Sequence, residues 1–106
     1  MKKTLSYQEE LLKSLKDPEE SIAYLNACLK EDNPKIFLNA LRNVIEAHGG
    51  ITKASKETEL NRENLYKMLS EKGNPQLESI RLLLKSIGLN LAVQADHESV
   101  TIPKFA

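Results

Sequence analysis

Tryptophan is absent, cysteine occurs once and histidine twice, and these shortages exclude several chemistries at the outset. The lone Cys28 has no partner for an intramolecular disulfide, and one cysteine with two histidines cannot assemble the usual Cys and His zinc clusters. A reducing, cytoplasmic setting is expected. No apolar run reaches the roughly 18 residues of a membrane helix, and the opening MKKTLSYQEELL has two lysines but too short an apolar stretch for a signal peptide. Neither membrane insertion nor secretion is expected. Net charge is also missing, because 15 basic and 15 acidic residues cancel, so bulk charge gives no pointer to nucleic acid. What remains is an ordinary globular composition, 41% hydrophobic and 28% charged over 106 residues, with room for one core and not two.

The charge balance is uneven along the chain. From Tyr7 to Asn33 the acids Glu9, Glu10, Asp17, Glu19, Glu20, Glu31 and Asp32 face only Lys13, Lys16 and Lys30, whereas the remainder is slightly basic. An acidic front and a basic back suit different partners.

The punctuation is helical almost throughout. Asp17-Pro18-Glu19-Glu20 sets a capping acid before a first-turn proline, with Glu20 spaced to reach back to the cap amide. Ile22, Leu25 and Leu29 then follow the helical period, and Asn33-Pro34 repeats the start signal. The helix after it runs to Gly49-Gly50, with Ile36, Phe37, Ala40, Leu41, Val44 and Ala47 on its core arc. Lys35, Asn39, Arg42, Asn43 and Glu46 share the opposite side. Ahead of these, Tyr7 to Lys16 has the spacing of a short helix presenting Leu11, Leu12 and Leu15. Two further short helices are expected from Thr52 to Thr58 and Asn61 to Glu71, then one in which Leu77, Ile80, Leu83, Leu84 and Ile87 form a stripe that Leu82 falls off. Past Gly88, alternation of Leu89, Leu91, Val93 and Ala95 with polar or small residues predicts one strand.

The segment from 50 to 69, GITKASKETELNRENLYKML, has the shape of a helix-turn-helix. Ile51 and Ala54 would face the core from the first helix, Leu60 would pin the turn, and Leu65, Met68 and Leu69 would anchor the second helix from beneath. With Asn61 as its cap, Arg62, Glu63, Tyr66 and Lys67 project outward. Arg can pair bidentately with guanine, Glu or Asn with exocyclic amines, and Tyr with a phosphate or thymine methyl. Lys53 and Lys56, with Lys72 beyond, would meet phosphates, and Thr52 and Asn61 complete the expected DNA-binding set. The acids Glu57, Glu59, Glu63 and Glu71 nearly offset the local cations, and paired amphipathic helices also occur in domains that never touch DNA.

The stretches LKDPEESIAYLNACLKEDNPKIFLNALRNVIEAHGGITKAS and RENLYKMLSEKGNPQLESIRLLLKSIGLNLAV, in this order, resemble the addiction-module antidote proteins, prophage-type DNA-binding proteins of the Cro and lambda-repressor superfamily. The resemblance implies an all-α, lambda-repressor-like bundle of five to six helices with a short C-terminal strand. It divides the chain into an N-terminal segment 1–16, a DNA-binding domain 17–95 and a tail 96–106. It further implies an antitoxin that represses its own operon, with a RelE-like toxin as partner. Two residues depart from the pattern. Glu59 stands where a glycine is usual at the turn, so a side chain with a Cβ is asked to take positive φ, and Ser55 replaces a buried alanine.

The other polar residues read as structural. Cys28 sits at the margin of an apolar stripe without a basic neighbour, which suits packing better than nucleophilic chemistry. His48 falls near a helix end and His97 in the polar tail. No carboxylate pair is tied to a catalytic or metal motif, so neither an enzyme nor a cofactor is expected. Tyr24 suits a core or interface, and Tyr66 a DNA contact. The expected working unit is a homodimer seamed by Leu82, Leu89, Leu91 and Val93, reading an inverted-repeat operator in double-stranded DNA, with no membrane association. Two other readings share these residues: a prophage-type regulator without a toxin, and a helical protein-interaction module.

Overall fold

The computed structural model describes residues 6–96. Within them the chain forms six helices: α1 (Tyr7–Ser14), α2 (Pro18–Leu29), α3 (Pro34–Ala47), α4 (Gly50–Thr58), α5 (Arg62–Met68) and α6 (Leu77–Ser86). The starts follow local chemistry. The side chains of Asp17, Asn33 and Asn61 each accept a first-turn amide, from Glu19, Lys35 and both Glu63 and Asn64 respectively. Proline opens α2 and α3, where its missing N–H costs nothing. The reciprocal capping box forms at Ser6 and Glu9 of α1, which the sequence reading did not identify. At Asp17 the backbone N–H instead donates to the Ser14 carbonyl at 3.1 Å, because the α1–α2 turn is tight enough to use it.

Helix α3 is the centre. It touches α1, α2 and α4, and α4 in turn carries α5 and α6. Phe37, Leu38, Ala40, Leu41, Val44 and Ile45 are buried on it, an arc wider than the sequence pattern assigned, while Ile36 remains partly exposed. Leu15, Leu25, Ile51, Ala54, Leu65, Leu69, Leu83 and Leu84 close the core around it. Removing one such side chain costs about 2–5 kcal/mol in transfer and cavity terms.

Two polar clusters fasten the first two helices. Asn43, read as a solvated residue, is 7% exposed. Its Nδ2 donates to the Tyr24 hydroxyl at 3.0 Å and its Oδ1 accepts from Gln8 Nε2 at 2.9 Å, so one amide joins α1, α2 and α3. Burial raises the Tyr24 phenol above its ordinary pKa, with the Asn43 bond pulling the other way. The second cluster is on the Leu15 carbonyl, which accepts from Ser21 Oγ at 2.7 Å and from His48 Nε2 at 2.8 Å. A carbonyl only accepts, so Nε2 carries the His48 proton. His48 thereby ties the end of α3 to the α1–α2 turn.

The α4–α5 turn is the strained place. Glu59 has φ of 64° and is the one non-glycine residue with positive φ among those described, as its position at the turn predicted. Hydroxyls stitch the turn around it: Ser55 Oγ donates to the Leu60 carbonyl at 2.6 Å, and Thr58 Oγ1 accepts from the Leu60 amide at 3.2 Å. After α5 the chain turns at Gly73, where an added Cβ would collide with the Lys67 and Met68 carbonyls, so only glycine allows the approach.

Three expectations at the C-terminal end are corrected. Helix α5 ends at Met68 rather than Glu71. Leu77 is 64% exposed, because it opens α6 before that helix reaches the core. Leu89 to Ala95 form no strand, since a ladder needs a neighbouring strand and no described segment supplies one. His97 and the rest of the tail beyond Asp96 lie outside the described residues.

Two stability predictions follow from these contacts. Glu59→Gly removes the left-handed penalty and is expected to stabilise the fold by about 1 kcal/mol in urea unfolding; a loss of stability would mean the Glu59 side chain is itself a brace. Asn43→Ala strips both bonds from a buried amide and should destabilise by about 1–3 kcal/mol; an unchanged urea midpoint would show the cluster to be neutral.

Candidate nucleic-acid interface

Two short helices with three residues between them, Glu59, Leu60 and Asn61, form the candidate site. Ile51 and Ala54 of α4 are buried, as are Leu65 of α5 and Leu69 just beyond it, so both helices are held from the core side. Leu60 and Met68 pack partly against the same core. The outward set is left free by that anchoring. Thr52, Lys53 and Lys56 are exposed on α4, and Arg62, Glu63, Tyr66 and Lys67 are exposed on α5. Asn61 is exposed too, but its Oδ1 is occupied with the amides of Glu63 at 2.8 Å and Asn64 at 3.2 Å. Its first role is therefore to start α5, with its NH2 group left to face solvent.

Local charge is tempered as well as presented. Lys53 Nζ lies 3.9 Å from Glu57 Oε2, one helical turn along α4, a surface pair worth little and easily exchanged for an anion. Lys67 sits in the last turn of α5, favourable to the helix dipole.

Arg42 is the residue sequence reasoning missed. Counted among the solvated residues of α3, it is half-buried, and its guanidinium stands 5.9 Å from the centroid of the Tyr66 ring. Tyr66 is 41% exposed, so the contact holds the ring while leaving part of it accessible. The available signal was the spacing of Lys35, Asn39 and Arg42, which lie along one stripe of α3. That stripe forms one wall of a groove of about 600 Å³, with Asn33 at one end and Ser70 and Glu71 on the other wall. Lys35 Nζ closes across it onto the Glu71 carbonyl.

Of the expected dimer residues, Leu82 and Leu91 line one shallow pocket together, and Leu91 with Leu89 lines a second groove on its other side, while Val93 lines neither. Leu82 is half-buried beside Glu78, Arg81 and Lys85. Leu89 packs partly on the core, and its amide donates to the Leu84 carbonyl at 2.8 Å. Leu91 is 37% exposed and Val93 fully so. Cys28 is half-buried against the core; burial pushes its thiol pKa up, and the nearby Glu31 charge adds to this, which disfavours the thiolate. Among the described residues no group of His, Cys, Asp and Glu is arranged to hold a metal, and no helix is long and apolar enough to cross a membrane.

Comparison with known proteins fits this architecture into a family. An uncharacterised protein of Haemophilus influenzae is 33% identical over 85 residues, covering 80% of this chain and 87% of the relative. No solved structure matches. A family model described as probable addiction module antidote protein matches residues 7–95, from the first turn of α1 through the segment after α6. The chain belongs to the family of probable addiction module antidote proteins.

Proposed function

We propose that the chain is the antitoxin of a type II toxin-antitoxin module, acting in the cytoplasm, and that it represses its own operon by binding an inverted-repeat operator as a twofold dimer. The observation that carries the DNA part is the division of α5. Leu65 is buried beneath it while Arg62, Glu63, Tyr66 and Lys67 stand outward on a helix capped by Asn61. That is the disposition a helix needs to enter a major groove with several different base-reading groups at its surface.

The roles divide by chemistry. Arg62 presents paired donors for guanine O6 and N7, and Glu63 accepts from a cytosine amine. Tyr66, steadied by Arg42, offers its hydroxyl to a phosphate or its ring to a thymine methyl. Thr52, Lys53 and Lys56 on α4 serve the phosphates. With the acids of the same region so close, a single copy would bind weakly, and two copies about one DNA turn apart, roughly 34 Å, would double the contacts.

The toxin part rests on the family. A small basic RelE-like ribonuclease would meet the exposed acids Glu9, Glu10, Glu19, Glu20, Glu31 and Asp32 of the first two helices and their loops. Complementary charge there would speed encounter more than it would strengthen the final complex.

The decisive DNA experiment uses the promoter region of the chain's own operon. Arg62→Ala should cost about 1–3 kcal/mol and relax specificity at one base pair, whereas Lys53→Ala should weaken all sequences alike and lower the salt slope. Operator affinity unchanged in a folded Arg62→Ala protein overturns the recognition role. For the toxin, Glu19→Lys with Glu20→Lys should slow association with the product of the adjacent gene, measured by stopped flow. An association rate equal to that of the unmodified chain would remove this surface from the toxin site.

A further inference from the structure

Helix α2 carries more apolar surface than its own chain covers. Its periodic residues Ile22, Leu25 and Leu29 read as one core-facing stripe, yet only Leu25 is buried, while Ile22 is 39% and Leu29 49% exposed. These two border a groove of about 370 Å³ between α2 and the segment after α6, floored by Phe37 and Leu84 and edged by Leu89 and Leu91. Its polar lining is Asn26, Asn90 and Gln94, and no charged side chain contributes. Leu91, Ala92 and Gln94 line the groove, whereas Val93 between them does not and is wholly exposed.

We infer that a second copy of this chain seats on this groove, with Val93 of each subunit inserted beside Ile22 and Leu29 of the other. The inference deepens the twofold part of the proposed function and rests on it. Three observations choose this occupant. A contiguous apolar patch with a projecting apolar knob at its edge is complementary to itself, as a twofold interface requires. The amides of Asn26, Asn90 and Gln94 both donate and accept, so they can pair with their own copies, which like charges cannot. Among the described residues, Asn90 to Ala95 make no backbone hydrogen bond, and a second copy brought against this segment offers partners for those groups.

A basic toxin fits less well. The acids that would attract it, Glu19, Glu20, Glu31 and Asp32, are all absent from the groove lining. The inference also moves the seam expected from sequence. Leu82 does not line this groove: it lies with Glu78, Arg81 and Lys85 in an adjoining pocket that shares Asn90 and Leu91 with it.

Sedimentation of the purified full chain tests this directly, with the intact protein expected to be dimeric at micromolar concentration. Val93→Asp acts once in each subunit and should weaken the dimer roughly tenfold per copy, about 100-fold in all. Because Val93 is fully exposed, the substitution leaves the monomer fold intact, checked by unchanged helical circular dichroism. Leu29→Asp should act in the same direction, and Leu82→Asp should leave the dimer as tight as before. A monomeric intact chain, a Val93→Asp dimer of undiminished strength, or dissociation by Leu82→Asp alone would overturn the inference. So would a monomeric chain whose Val93→Asp variant loses the co-expressed toxin, since the groove would then be the toxin's. Operator binding is measured separately: a dimer dissociated by Val93→Asp whose intact form ignores the operator defeats the DNA reading and leaves the seat standing.

Discussion

Everything in this chain is arranged by the need to cover α3. A helix with Phe37, Leu38, Ala40, Leu41, Val44 and Ile45 all buried presents apolar surface around far more than one face, and no single neighbour can cover it. Helices α1, α2 and α4 close on it from different sides, leaving Lys35, Ile36, Asn39 and Glu46 exposed and Arg42 half-buried. The first two covers, α1 and α2, are fastened by polar contacts as well as by packing. Asn43 reaches α1 and α2 together, and His48 holds the turn between them. Among the described residues no buried side-chain polar atom lacks a hydrogen-bond partner, so the core keeps its polar groups without leaving any of them orphaned.

The candidate interface inherits its geometry from a turn that breaks a local rule. A residue with a Cβ in the left-handed region costs roughly 1–2 kcal/mol, and Glu59 occupies it. Ser55 acts against that cost, because its hydroxyl donates to the Leu60 carbonyl across the turn. Thr58 captures the Leu60 amide from the other side. Glu59 and Ser55 therefore belong together: one strains the turn, and the other helps to hold it closed. Helix α5 is seven residues long, too short to persist alone, so its orientation depends on that turn and on Leu65 beneath it.

Much of the fold was legible because the signals are local. A cap and the amides it accepts lie within three residues of one another, so Asp17, Asn33 and Asn61 announced the starts of their helices. The positive φ at Glu59 was legible by a different route, from the resemblance that implies a glycine at that place in the turn. Asn43 was not, since a polar residue opposite the apolar arc reads as solvated until α1 and α2 are known to meet above it. Arg42 was hidden likewise, its contact with Tyr66 joining residues far apart in sequence. The alternation from Leu89 to Ala95 records a segment with two different sides, and that pattern cannot say whether a neighbouring strand exists.

The neutral charge of the chain is a constraint on how it could hold DNA. Phosphate contact supplies affinity without sequence information, and a surface with many lysines would bind any duplex strongly. Here Glu57 and Glu63 lie beside Lys53, Lys67 and Arg62, which, on the proposed reading, would lower the non-specific term and leave a larger share of the binding to base contacts. Such a surface needs avidity to reach useful affinity, and a twofold assembly provides it by doubling contacts at fixed spacing. The apolar residues Ile22, Leu29 and Val93 lie outside the α4–α5 surface, so closing a dimer through them would leave both α5 helices available. On the proposed reading, a weakly charged reading surface and an uncharged groove seating a second copy would be two halves of one arrangement, in which assembly supplies the affinity that charge does not.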